Sequence, residues 1–129
     1  MGNYGLAAIE AVELIQSKKI EDPVEAWEIS TSEIFGVGTS GQCKGCPKGA
    51  FLGLVEEGLI KNINAKKCTR SKKNKAYAIK AIDFLKENPD KNYSELMLWD
   101  LVIGDEYKKY NQQMDVVLSL WNSGLIDKR

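Results

Sequence analysis

The chain has 129 residues, 43% hydrophobic and 28% charged, with three Trp, five Tyr and three Phe. That is the length of one domain and the composition of a chain that buries a core, which excludes a disordered segment. Eighteen Lys and Arg balance eighteen Asp and Glu, and histidine is absent, which removes every His-based triad, His zinc ligand and imidazole general base.

Apolar residues at Leu6, Ile9, Val12 and Ile15 keep one face of a helix over 3–18. Ser17, Lys18 and Lys19 end it with positive charge near the carbonyl end, where the helix dipole favours it. Asp22-Pro23-Val24-Glu25 starts a second helix: Asp22 caps, Pro23 suits the first position and Glu25 can complete a capping box. Val24, Trp27, Thr31, Ile34 and Phe35 share a face of that helix, which runs over 23–35. Residues 36–49, with Gly36, Gly38, Gly41, Gly45 and Gly49 among small polar residues, read as a loop. A third helix follows from about Pro47 to Glu57 and stops at Gly58, with Leu59 folding back onto the preceding turn.

Ser71 caps a fourth helix that runs to Asn88, with Ala78, Ile79, Ile82 and Leu85 inward and Pro89 after its end. Asn92-Tyr93-Ser94-Glu95 reads as a second capping box and opens a fifth helix lined by Leu96, Trp99 and Ile103 and ended by Gly104. The last helix covers 111–123, with Met114, Val117, Leu118 and Trp121 on one face and Gly124 as its stop. No stretch alternates apolar and polar residues for long, so the fold class is all-α: a single-domain irregular bundle of six helices with little or no sheet. Leu52–Ile60 echoes Leu118–Ile126 at five positions, and both read as helix ends closed by a glycine and a hydrophobic contact.

No apolar run approaches the roughly 20 residues that cross a bilayer. No basic segment precedes an apolar stretch at the start, so a cytoplasmic protein without membrane partners is expected. Gly2 does not open a myristoylation motif, because Leu6 stands where Ser or Thr is required.

Charge is uneven along the chain. Residues 1–35 carry seven acidic and two basic side chains. Residues 58–82 carry eight basic and no acidic ones, among them Lys66, Lys67, Arg70, Lys72, Lys73 and Lys75. Either this basic segment meets a phosphate-bearing ligand, a nucleic acid or an acidic protein, or it is a solvated face that pairs with the acidic first helices. With one Arg and one aromatic, Tyr77, it offers little for base readout or stacking. The pairs Glu10 and Glu13, Glu21 and Glu25, and Glu56 and Glu57 read as solvated carboxylates, not as a buried acid and base.

The chemistry-bearing stretch is 36–49. Cys43 and Cys46 form a CxxC ahead of a helix start, where the dipole and Lys44 and Lys48 favour thiolate; this is the alternative, thiol-disulfide oxidoreductase reading. A likeness to all-helical AhpD-like CxxC proteins fails where their His is expected, because Ala50 stands there. Cys43, Cys46 and Cys68 are one ligand short of a structural zinc site, so neither metal nor cofactor is assigned. Gly36-Val37-Gly38-Thr39-Ser40-Gly41 matches GxGxxG only formally, since a helix and not a strand precedes it. The leading reading is a non-enzymatic interaction or ligand-binding module. Backbone N–H groups at a helix start, with Thr39, Ser40, Lys44, Lys48 and Gly49, would hold an anion. A homo-oligomer stays open.

Gly45-Cys46-Pro47-Lys48-Gly49-Ala50-Phe51-Leu52-Gly53-Leu54, together with Gln113–Leu118 and Leu120-Trp121, resembles a family of small bacterial proteins designated only as a domain of unknown function. The likeness spans nearly the whole chain. It implies a bacterial or phage cytosolic protein, a self-contained domain and a site near 45–54. It implies no reaction.

Overall fold

The structure, a computed structural model, describes residues 2–128. Six helices follow one another: α1 (Asn3–Gln16), α2 (Pro23–Phe35), α3 (Gly45–Glu56), α4 (Lys72–Glu87), α5 (Glu95–Ile103) and α6 (Gln113–Asn122). No strand forms among the described residues; the only extended pairing there is a single antiparallel bridge between Ile60 and Ile126. No helix among them is long and apolar enough to cross a membrane.

The caps are where local chemistry places them. The Asp22 carboxylate accepts from the Val24 N–H at 3.2 Å, with Pro23 in the first turn. Ser71 and Ser94 accept from the N–H groups of Asn74 and Met97, at 3.3 and 3.2 Å. Each cap gives an orphan helix donor an acceptor, which is worth about 1 kcal/mol.

The two echoed helix ends are the same device. Leu59 N–H reaches Leu54 C=O and Gly58 N–H reaches Val55 C=O; Leu125 and Gly124 repeat this onto Leu120 and Trp121, all at 3.0–3.1 Å. Gly58 and Gly124 both sit at φ 73°, the left-handed conformation that glycine adopts without strain. The two exit segments then pair with each other: Lys61 N–H meets Leu125 C=O at 2.9 Å and Asp127 N–H meets Leu59 C=O at 2.8 Å. The bridge fastens the ends of α3 and α6, and it buries Ile60 and Ile126 beneath itself.

α3 and α6 form the middle of the bundle. α6 packs on α1, α3, α4 and α5, and α3 packs on α2, α4 and α6. Eight residues of α6 are buried, including Gln113 and Ser119, so this helix is enclosed on nearly every side, where the sequence predicts one buried face. Its only acidic or basic side chain is Asp115, which leaves no polar face to keep wet.

Two other faces differ from expectation. In α1 the inward residues are Gly5, Ala7, Ala8, Ala11 and Val12, while Leu6 is 45% exposed and Ile9 and Ile15 are half-buried. Small side chains bring α1 close to its neighbours, and the Ser119 hydroxyl reaches Gly5 C=O at 3.2 Å. In α5 the inward residues are Leu98, Trp99 and Val102; Leu96 is 60% exposed. The sequence ELMLWDLVI is apolar on all sides, so its spacing carries no phase. Trp99 sets the rotation: its indole N–H donates to Lys108 C=O at 3.1 Å, and its ring packs on Tyr77 and Tyr110. In α2, Trp27 stacks on Phe51 of α3 with centroids 5.2 Å apart. The Trp27 indole N–H is the one buried side-chain donor without an acceptor among the described residues.

α3 meets α4 more extensively than any other pair of helices meets. A Cβ on Gly53 would lie 2.6 Å from Lys75 Cα, and one on Gly49 would lie 2.9 Å from Asn74 Cβ. Gly45 has nothing within 4 Å of the same position. Gly53→Ala is therefore expected to destabilise the fold by about 1–3 kcal/mol, because a backbone atom cannot step aside. Gly45→Ala is expected to be neutral or to stabilise by up to about 1 kcal/mol through helix propensity. Urea denaturation of the two variants beside the parent checks both signs.

Candidate functional site

The Gly-rich bend is closed on itself. Gly36 and Gly38 take positive φ, 94° and 75°, and let the chain turn back across the end of α2. The Thr39 hydroxyl donates to Gly36 C=O at 2.9 Å and accepts from Gln42 N–H at 3.2 Å. Gln42 is buried; its amide donates to Glu28 and Thr31, and its carbonyl meets Gly38 N–H. The Tyr4 hydroxyl holds Gly41 C=O at 2.9 Å. Lys44 turns toward α6, where its amine meets the Gln112 side chain and lies over the Tyr4 ring. Thr39 and Ser40 are exposed on the outside of this bend.

α3 begins at Gly45, so Cys46, Lys48 and Gly49 belong to a helix and not to the loop. Lys48 and Gly49 line a cleft of about 470 Å³. Its other walls are Val24 of α2, Gly45 and Leu52 of α3, and the segment Cys68–Ser71 that leads into α4. Of the residues singled out in the sequence, Lys48, Gly49 and Arg70 therefore come together, while Thr39, Ser40 and Lys44 stand apart from the cleft. Thr69 and Ser71 add two hydroxyls. Each accepts a local bond, Thr69 from Ser71 N–H and Ser71 from Asn74, and neither donates its own proton to an acceptor among the described residues. The run Cys68-Thr69-Arg70-Ser71, hydroxyls flanking a guanidinium just before a helix, is the signal that could have marked this wall in the sequence.

Three of the eight cations of the basic segment are already paired. Lys66 lies 4.0 Å from Asp22, Lys73 lies 3.5 Å from Glu106, and Lys75 lies 2.7 and 3.3 Å from Glu56 and Glu57. Lys48 pairs with Glu28 at 2.8 Å, and this bond holds the Glu28 carboxyl below the ordinary range. Lys67, Arg70 and Lys72 have no carboxylate partner among the described residues. Of these three, only Arg70 lines the cleft. A second depression, lined by Glu10, Glu13 and Glu33, has the opposite sign; burial first, then Glu33 and Glu13, raise the Glu10 carboxyl.

Glu56 is a clamp and not a solvated carboxylate. One oxygen takes Lys75 Nζ at 2.7 Å; the other takes the Cys68 and Thr69 N–H groups at 2.9 and 3.3 Å. It thereby fixes the Cys68–Ser71 wall to the end of α3. The Lys75 bond first, then the Cys68 N–H, pull the Glu56 carboxyl from 4.5 down to about 2. Burial, then Glu56, pushes the Cys68 thiol up to about 11, so it stays protonated at neutral pH. Cys43, Cys46 and Cys68 are all free thiols; Cys43 is exposed, and Cys68 donates to Leu52 C=O at 3.5 Å. No group of three His, Cys, Asp or Glu that could hold a metal occurs among the described residues.

A carboxyl whose pKa is depressed on folding contributes stability above its unfolded pKa and loses it as pH falls through the folded value. Glu56 is therefore expected to contribute fully above pH 4.5 and to lose that contribution progressively toward pH 2. Glu56→Gln is expected to lower the urea midpoint at pH 7 and to flatten its decline across that window. Midpoints measured from pH 7 to pH 2 test this, and equal slopes for the two proteins would contradict the clamp.

Comparison with curated proteins and with solved structures finds no match. A family model described as a family of unknown function, DUF6979, matches residues 1–127. The all-helical chain with its α2–α3–α4 cleft belongs to the DUF6979 family.

Proposed function

We propose that this protein is a non-enzymatic helical binding module and that it takes an anionic, phosphate-bearing ligand in the cleft between α2, α3 and α4. The observation that carries this reading is the meeting of Lys48 and Arg70 with the hydroxyls of Thr69 and Ser71 around one opening. A guanidinium is a fixed fork of donors that matches a phosphate, and hydroxyls with spare protons complete the set. The Lys72 and Lys73 N–H groups at the start of α4 meet no acceptor among the described residues, and their dipole adds to the same sign. Gly49 lets this wall pack close on α3, because a side chain there would enter the space taken by Ser71 and Asn74.

In this reading Lys48 is held in reserve. Its partner Glu28 is bound on the far side by Gln42, and an arriving phosphate competes with Glu28 for the ammonium. Nothing in the cleft is arranged as a nucleophile with an adjacent base: the one thiol, Cys68, is protonated at neutral pH.

Titration of the isotope-labelled protein with inorganic phosphate and pyrophosphate at low salt tests the proposal. Amide shifts are expected at Thr69, Arg70 and Ser71, weakening as salt rises. A hydrogen bond from a charged donor is worth about 1.5–3 kcal/mol, so Arg70→Ala is expected to weaken binding about tenfold or more. Lys44→Ala, outside the cleft, is expected to leave it unchanged. Absence of any shift with either anion overturns the reading.

A further inference from the structure

We infer that the ligand of this cleft is a small, free phosphomonoester whose organic group is largely apolar, and not a polyanion; this rests on the anion reading above and narrows it. The cleft mixes polar and apolar lining. Lys48, Arg70, Thr69 and Ser71 supply its polar groups, and Val24, Leu52 and the protonated Cys68 thiol supply its apolar surface. Gly45 presents backbone without a side chain at the rim, with nothing within 4 Å of its Cβ position, so an unbranched group can pass there along the start of α3. A volume of about 470 Å³ falls within the roughly 300–1,000 Å³ range of pockets that enclose one small organic molecule.

The surroundings argue against a polymer. Lys48 and Lys66 are already paired with Glu28 and Asp22, which leaves fewer free charges for a run of phosphates. No aromatic ring lines the cleft, so no base can stack. An apolar tail against Val24 and Leu52 gains affinity in proportion to the area it removes from water.

Hexyl phosphate and inorganic phosphate, titrated in parallel by calorimetry and by methyl and amide shifts, test the inference. Hexyl phosphate is expected to bind about tenfold tighter or more, with shifts at the Val24 and Leu52 methyl groups as well as at Arg70. Val24→Thr, of equal volume, is expected to weaken hexyl phosphate about threefold and leave inorganic phosphate unchanged. Glu28→Gln is expected to tighten both about threefold by releasing Lys48. Equal affinities for the two ligands would overturn the apolar-group inference while leaving the anion reading in place. Failure of both ligands to bind removes the two together. Tighter binding of a twelve-nucleotide oligothymidylate than of hexyl phosphate would overturn the inference in favour of a polymer. Tighter binding of phosphatidylcholine vesicles carrying phosphatidic acid would overturn the free ligand in favour of a lipid headgroup.

Discussion

At Gly53 the backbone of α3 approaches α4 so closely that no side chain fits between Gly53 and Lys75. That approach governs most of what surrounds it. With α4 pressed against α3, Lys75 is carried to the Glu56 and Glu57 carboxylates, and Glu56 can reach back to the Cys68 and Thr69 N–H groups. The segment before α4 is thereby fixed along α3, and the space left between it, α3 and the start of α2 is the cleft. A wider spacing between the helices would break the Glu56 bonds before it enlarged the cleft.

The same contact aligns a buried polar chain. Ser71 accepts from the Asn74 side chain at 2.8 Å, and Asn74 in turn accepts from Gln113 at 3.1 Å. Gln113 is fully buried, and its carbonyl takes the Asn111 N–H at 3.0 Å. Buried amides left unpaired cost about 1–3 kcal/mol each, so this chain holds only if α4 and the start of α6 keep their register. Asn74 thus joins the wall of the cleft to the most enclosed helix of the bundle. The Ser71 hydroxyl still keeps its proton for another acceptor, so the cleft does not draw on the bonds that maintain the core.

The six helices were legible in the sequence because their ends are local chemistry: Asp22, Ser71 and Ser94 cap within three residues, and Gly58, Gly104 and Gly124 stop helices by their own conformation. Helix faces were legible only where polar and apolar residues alternate with a phase, as in α4, where Ala78, Ile82 and Leu85 are buried as expected while Ile79 is half-buried and Tyr77 and Ala81 share the inward face. α1 hides its inward face because alanines form it, and α5 because every face is apolar. The candidate site was half legible. Lys48, Gly49 and Arg70 stood out by composition, but their meeting is a consequence of the Gly53 contact, which joins residues far apart in the chain. Gly45 and Gly49 looked like part of a ligand loop, but α3 begins at Gly45, and Gly49, like Gly53, makes room for a neighbouring helix. Glu28 and Glu56 gave no signal, since a carboxylate with a distant lysine looks in sequence like any solvated one.

Charge distribution follows the same logic of local features acquiring meaning at long range. The chain alternates acidic, basic and acidic segments with a total of zero, which in sequence is compatible with a broad cationic face. Folding brings Asp22, Glu28, Glu56, Glu57 and Glu106 against Lys48, Lys66, Lys73 and Lys75, so part of that face is cancelled by the protein itself. The exposed pairs among these add little to stability, whereas Glu56 also ties the segment before α4 to α3 through the Cys68 and Thr69 N–H groups. The pairing decides where positive potential survives. Lys61, Lys67, Arg70, Lys72 and Lys80 keep no carboxylate partner among the described residues, and of these Arg70 alone borders a concavity with hydroxyl donors beside it. An anion small enough to enter that recess meets a free guanidinium and hydroxyls together, a combination that the other unpaired cations do not offer.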